Sequence, residues 1–86
     1  MNDDSRTMRL WLAERVSHRT GADLSRIHDD VPLTSYGLDS VAAVTIVVDI
    51  EERYEIVLDP ETLWDYRTID ELADLVTARL NGTDLP

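Results

Sequence analysis

Asp39-Ser40-Val41-Ala42-Ala43-Val44-Thr45-Ile46-Val47-Val48-Asp49-Ile50-Glu51-Glu52-Arg53-Tyr54 is the stretch whose reading decides the fold. Its valines and isoleucines favour a strand by local propensity alone. Its length argues otherwise, because strands usually run to about 5–6 residues. Ala43, Val47, Ile50 and Tyr54 recur at helical spacing, and Val41, Val44 and Val48 form a second series at the same period. Asp39 offers an N-terminal cap, and Glu51-Glu52-Arg53 closes the segment in charge. The reading is a helix over 39–54 whose wide apolar arc makes it the central, most buried one.

Working outward, Met8, Leu12 and Val16 make a four-residue stripe widened by Trp11, which predicts a helix from about Asp4 to Thr20. Asp3, Asp4 and Ser5 supply capping and charge at its start, and Gly21 stops it. Residues 22–38 sustain no period and are punctuated by Asp29-Asp30, Pro32 and Gly37. Long loops are uncommon unless functional or pinned. The apolar residues Leu24, Ile27, Val31, Leu33 and Tyr36 therefore predict a connection folded over the bundle. On the other side, Ile56 and Leu58 alternate in an extended link bounded by Glu55 and Asp59. Asp59-Pro60 then opens a short helix over 60–65. Thr68-Ile69-Asp70-Glu71 is a capping box, followed by the stripe Ile69, Leu72, Ala73, Val76 and Leu80, with Asn81-Gly82 as the stop. The predicted fold is all-α, a small four-helix bundle of three main helices plus a short one, with a long loop between the first two. The expected domain is single, 1–86, with order over about 4–81.

Composition narrows the function classes. The chain has no cysteine and only two histidines, His18 and His28, so disulfides, thiolate metal sites and histidine-built metal sites are disfavoured. Eighteen acids face eight bases, all arginine. Residues 1–38 hold six acids and five arginines, and residues 39–86 hold twelve acids and three arginines. Such a surface repels nucleic acid and anionic lipid and attracts partners with basic patches. No apolar run approaches the roughly 20 residues of a membrane span. The expectation is a cytoplasmic monomer that binds neither nucleic acid nor membrane. Met1 favours a free-standing chain over a piece of a larger synthase.

Candidate chemistry lies in Gly37-Leu38-Asp39-Ser40-Val41. Gly37 permits a sharp turn into the helix, Asp39 caps it, and Ser40 takes the first helical position beside free N–H groups and the positive end of the helix dipole. That environment stabilises a phosphate on the serine. Taken alone, Asp-Ser before an apolar helix is more often only a cap, since Asp and Ser are the commonest cap residues. A hydrolase elbow is excluded, since no glycine follows Ser40 at the required place. The acids Asp59, Glu61 and Asp65 lack calcium-loop spacing, with Trp64 where that loop needs glycine. Trp11, Trp64, Tyr54 and Tyr66 read as core anchors.

Together, the Gly-Leu-Asp-Ser-aliphatic string, the apolar helix ending in Glu51-Glu52, the Ile56-x-Leu58-x-Pro60 link and Trp64-Asp65-Tyr66-Arg67-Thr68-Ile69 resemble the acyl carrier protein family over roughly residues 8–80. The resemblance implies that Ser40 receives 4′-phosphopantetheine from coenzyme A and that acyl groups ride on it as thioesters, with no catalysis by the chain itself. It implies that Asp39 helps the phosphopantetheinyl transferase hold magnesium. Partner docking is implied for Leu38, Val41, Thr45, Asp49, Glu51 and Glu52. The implied partners are the transferase, an acyl-loading enzyme (an acyl-AMP ligase or acyltransferase) and downstream synthase enzymes. Ala42, Ala43 and Thr45 stand where many fatty-acid-synthase carriers have acids. The Trp64–Ile69 block is closer to polyketide carriers, particularly those loaded by fatty-acyl-AMP ligases. Asp39 stands where peptidyl carriers usually have histidine. A peptidyl or aryl carrier and an unmodified acidic interaction module are the alternatives.

Overall fold

Three amphipathic stripes meet in one core in the computed structural model, which describes residues 5–59 and 67–82. Helix α1 spans Ser5–Thr20, α2 spans Ser40–Tyr54 and α3 spans Ile69–Leu80, and no strand occurs among the described residues. Three α-helices are therefore described. The short helix expected over 60–65, with Trp64 and Tyr66, lies outside the described residues, as does the cap expected at Asp3 and Asp4.

Helix α1 packs against both α2 and α3. It contributes Met8, Leu12, Ala13 and Val16 to the core, and Gly21 terminates it at φ 81°. Helix α3 contributes Ile69, Leu72, Ala73, Leu75 and Val76. Leu80, expected in that stripe, is exposed, and Leu75 takes a core place instead. The capping box forms with a shifted partner. Thr68 Oγ1 accepts the Glu71 N–H at 3.2 Å, while the Glu71 carboxylate accepts the Arg67 N–H at 3.1 Å, one residue further back than usual. An ion pair of 3.0 Å joins Arg9 of α1 to Asp70 of α3, half-exposed and so of small energetic weight.

Helix α2 buries Ala42, Ala43, Ile46, Val47 and Ile50. The expectation that α2 is the central, most buried helix is not met: α1 is the helix that packs against both others, and Val41, Val44 and Val48 of α2 are 73%, 45% and 42% exposed. Both apolar series have helical period, but one helix turns a single face to α1 and its neighbours. Trp11 and Tyr54 sit half-buried at the edge of the α1–α2 contact rather than at its centre. Their rings meet edge to face at 5.6 Å, and the Arg53 guanidinium lies over both.

The long connection is pinned, as its apolar content implied. Ile27, Leu33 and Leu38 enter the core. Two short 3₁₀ turns, Leu24–Arg26 and Leu33–Tyr36, interrupt it, and aperiodic sequence gave no sign of them. The Leu33 N–H donates to the Arg67 carbonyl at 2.8 Å and the Asp70 N–H to the Asp29 carbonyl at 3.0 Å, which sews the loop to the start of α3. In the link after α2, Leu58 is buried and Ile56 half-buried, while Val57 between them is exposed although apolar, so burial alternates where polarity does not.

Candidate functional site

The loop delivers the chain to α2 through four consecutive residues with distinct tasks. The second 3₁₀ turn ends at Gly37, whose φ of 79° and ψ of 24° place it in the left-handed region, with its N–H donating to the Thr34 carbonyl. Leu38 then inserts into the core at 7% exposure. Asp39 is extended. Its Oδ1 accepts the Ala42 N–H at 2.8 Å and its carbonyl accepts the Ala43 N–H at 2.9 Å, so the cap expected from sequence forms in full. Ser40 follows as the first helical residue and is exposed.

Gly37 is required for its backbone and not for space, because a Cβ there meets nothing within 4 Å. Gly37→Ala is therefore expected to cost about 1–2 kcal/mol, the left-handed penalty of an L-residue, and Gly37→Asn less. Urea denaturation of the two variants checks this. Equal midpoints for wild type and alanine variant would show that the turn relaxes freely.

The helix start is suited to a phosphate ester. The first N–H groups of any α-helix lack intrahelical acceptors, and Asp39 takes that of Ala42, leaving those of Ser40 and Val41 beside the serine hydroxyl. The dipole adds positive potential at the same place. The Ser40 hydroxyl makes no hydrogen bond among the described residues, so nothing competes for it. Burial and backbone thus present an open nucleophile against a phosphate-friendly helix end, and the residues fit a phosphopantetheine ester. Among the described residues no cluster of metal-ligating side chains forms.

The residues expected to dock partners divide sharply. Leu38 is buried, and its side chain packs in the core instead of lying at the surface. Val41 is exposed beside Ser40. Thr45 is half-buried, and its hydroxyl donates back to the Val41 carbonyl at 2.8 Å. Asp49 accepts a two-pronged hydrogen bond from Arg19, Nε to Oδ2 at 3.0 Å and Nη2 to Oδ1 at 2.9 Å, joining α1 to α2. That contact raises the guanidinium pKa of Arg19 above its usual value. The Glu51 carboxylate accepts the Leu58 N–H at 2.8 Å and holds the outgoing link against α2. Of the three acids Glu52 alone is exposed, and its charge also helps to raise the pKa of Arg19. The structural tasks of Asp49 and Glu51 had no signal in the sequence, because each partner is set by tertiary folding.

His18 and His28 are exposed. No helix among the described residues is long and apolar enough to cross a membrane.

Comparison with known proteins agrees with this geometry. Residues 10–76 match the family described as phosphopantetheine attachment site. The chain is 30% identical over 69 residues to polyketide synthase 2 of Metarhizium guizhouense, a match that covers 80% of this chain and 3% of the synthase. It is 27% identical over 66 residues to an acyl carrier protein of Myxococcus xanthus, covering 76% of this chain and 84% of that one. Among solved structures, a free-standing peptidyl carrier protein from a secondary metabolic pathway of Acinetobacter baumannii superposes with a TM-score of 0.86 at 33% identity, covering 92% of this chain and 99% of that one. The acyl carrier protein LipD of Actinoplanes friuliensis superposes with a TM-score of 0.73 at 39% identity, covering 96% and 98%.

Proposed function

The chain belongs to the phosphopantetheine attachment site family, and on that footing we propose that Ser40 is the residue that receives the arm. The chain is a carrier protein with a covalent phosphopantetheine prosthetic group. The single observation that supports Ser40 is its exposed, unengaged hydroxyl on the first turn of a helix capped by Asp39. In the attachment, Ser40 Oγ forms a bond to the pantetheine-bearing phosphorus of coenzyme A. The pyrophosphate bond breaks, 3′,5′-ADP departs and the hydroxyl proton passes to a base of the transferase. Asp39 holds the helix end in place with Oδ1, and its second carboxylate oxygen would be available to a magnesium ion in the complex with the transferase. The bound arm supplies the thiol that this cysteine-free chain lacks.

The chain's own part is presentation: tethering raises the effective concentration of cargo at each partner's site, and catalysis resides in the partners. Those partners are the transferase, an acyl-loading enzyme and downstream synthase enzymes, with the whole chain acting as one monomeric carrier domain. The likeness to a polyketide synthase supports acyl cargo of secondary metabolism. A second reading, a peptidyl carrier, is favoured by the likeness to the Acinetobacter baumannii structure. The cytoplasm, where a transferase finds coenzyme A, is the compartment this function implies.

The test is intact mass spectrometry after incubation with coenzyme A, magnesium and a broad-specificity phosphopantetheinyl transferase, followed by peptide mapping. One added arm on the peptide containing Ser40 is expected. An arm mapped to another serine, or none, overturns the assignment.

A further inference from the structure

A groove runs between α1 and the first 3₁₀ turn, and no residue of α2 lines it. We propose that it binds a free, medium-chain aliphatic carboxylic acid, with the chain in the groove and the carboxylate at Arg6. The site stands whatever Ser40 carries.

Ala13 and Ile27 are buried and make the floor, while Leu10 and Leu24 are exposed and make the walls. Leu24 is held by its turn: Asp23 Oδ1 accepts the Ser25 N–H at 3.1 Å, and the Leu24 carbonyl accepts the Ile27 N–H at 3.1 Å. A wall fixed in advance lowers the cost of binding. The groove offers about 410 Å³, within the roughly 300–1,000 Å³ of small-molecule sites. A protein partner would need about 800 Å² of surface on this side, far more than four apolar residues supply. One alkyl chain fits the scale.

Charge selects the head group. The net charge of −10 repels anions from the chain as a whole, so an anion site has to be local. Arg6 and Arg9 border the groove. Arg9 is already paired with Asp70 at 3.0 Å. Arg6 makes no ion pair or hydrogen bond among the described residues. It also stands in the first turn of α1, where a cation opposes the helix dipole, so folding does not account for it. Asp29 lines the groove too, and its charge works against the ligand.

The experiment is an amide chemical-shift titration of the full chain near neutral pH with octanoate, octan-1-ol and octylammonium. Octanoate is expected to shift Ala13, Leu24 and Ile27 with a dissociation constant on the order of millimolar. Octylammonium should bind there at least about threefold more weakly, although the overall charge of the chain favours it. Arg6→Gln should weaken octanoate about threefold and leave octan-1-ol unchanged, and Asp29→Asn should tighten octanoate. Leu10→Gln should weaken all three ligands, and since glutamine favours helix its melting temperature should hold. Ser40→Ala should titrate as wild type does. Octylammonium binding these positions as tightly as octanoate overturns the proposal, as does unchanged octanoate affinity in Arg6→Gln. Octanoate shifts confined to α2 and α3, or no shift at millimolar octanoate, overturn it equally.

Discussion

Ser40→Ala is expected to abolish attachment of phosphopantetheine while leaving the three helices folded. The substitution removes the oxygen that must bond to phosphorus, and no other hydroxyl occupies the first turn of α2. Loss of modification should therefore be complete and not graded. Stability should hardly move. The side chain is exposed, Asp39 still accepts the Ala42 N–H, and alanine is the best helix former, so the change should stay within about 0.5 kcal/mol. Ser35, exposed in the preceding 3₁₀ turn, is an internal control, because it shares the neighbourhood but not the helix end. Intact mass and a thermal melt of the variant check both halves. Full modification of the alanine variant would move the attachment elsewhere, and a collapsed melt would mean that the hydroxyl supports the fold.

The second large effect concerns the core. Leu72→Ala is expected to cost about 2–5 kcal/mol, the range for emptying a well-packed leucine site. Leu72 is fully buried in α3, the helix that packs on α1. A domain of this size typically holds only about 4–13 kcal/mol in total at roughly 0.05–0.15 kcal/mol per residue, and no disulfide supports it. Leu80→Ala, at the last residue of the same helix and 47% exposed, is expected to cost under about 0.5 kcal/mol. Both leucines sit on the stripe that sequence periodicity marks as one face, so the pair separates packing from pattern. Urea midpoints at unchanged m-value give the comparison. Similar midpoints for the two variants would contradict the packing of α3 described above.

That pair also shows where sequence reading succeeds and where it stops. The bounds of α2 and α3 and the caps at Asp39 and Thr68 were legible because they depend on neighbours a few residues away. The buried face of α2 was legible only in half. Ala43-Val47-Ile50 and Val41-Val44-Val48 have the same period, and nothing in a one-dimensional pattern says which series the other helices cover. Leu38 was assigned to a partner and belongs to the core, because its anchoring role appears only once the Gly37 turn aims it inward. Asp49 and Glu51 were legible as acids but not as acids already engaged. Arg19 and the Leu58 N–H reach them through tertiary folding alone. At Ser40 itself, by contrast, local chemistry suffices, and its helical position and the Asp39 cap were read correctly.

The seam between loop and third helix bears on the order of events as the chain folds. Its hydrogen bonds, from the Leu33 amide to Arg67 and from the Asp70 amide to Asp29, close only when distant parts of the chain meet. Contacts of that kind wait on loop closure and form late. The amides of Ala42 and Ala43 are held by Asp39, close by in sequence, and need only α2 to be in place. Pulsed hydrogen exchange during refolding should therefore protect Ala42 and Ala43 ahead of Leu33 and Asp70. On that order, a chain whose seam is still open would already display Ser40 on a capped helix.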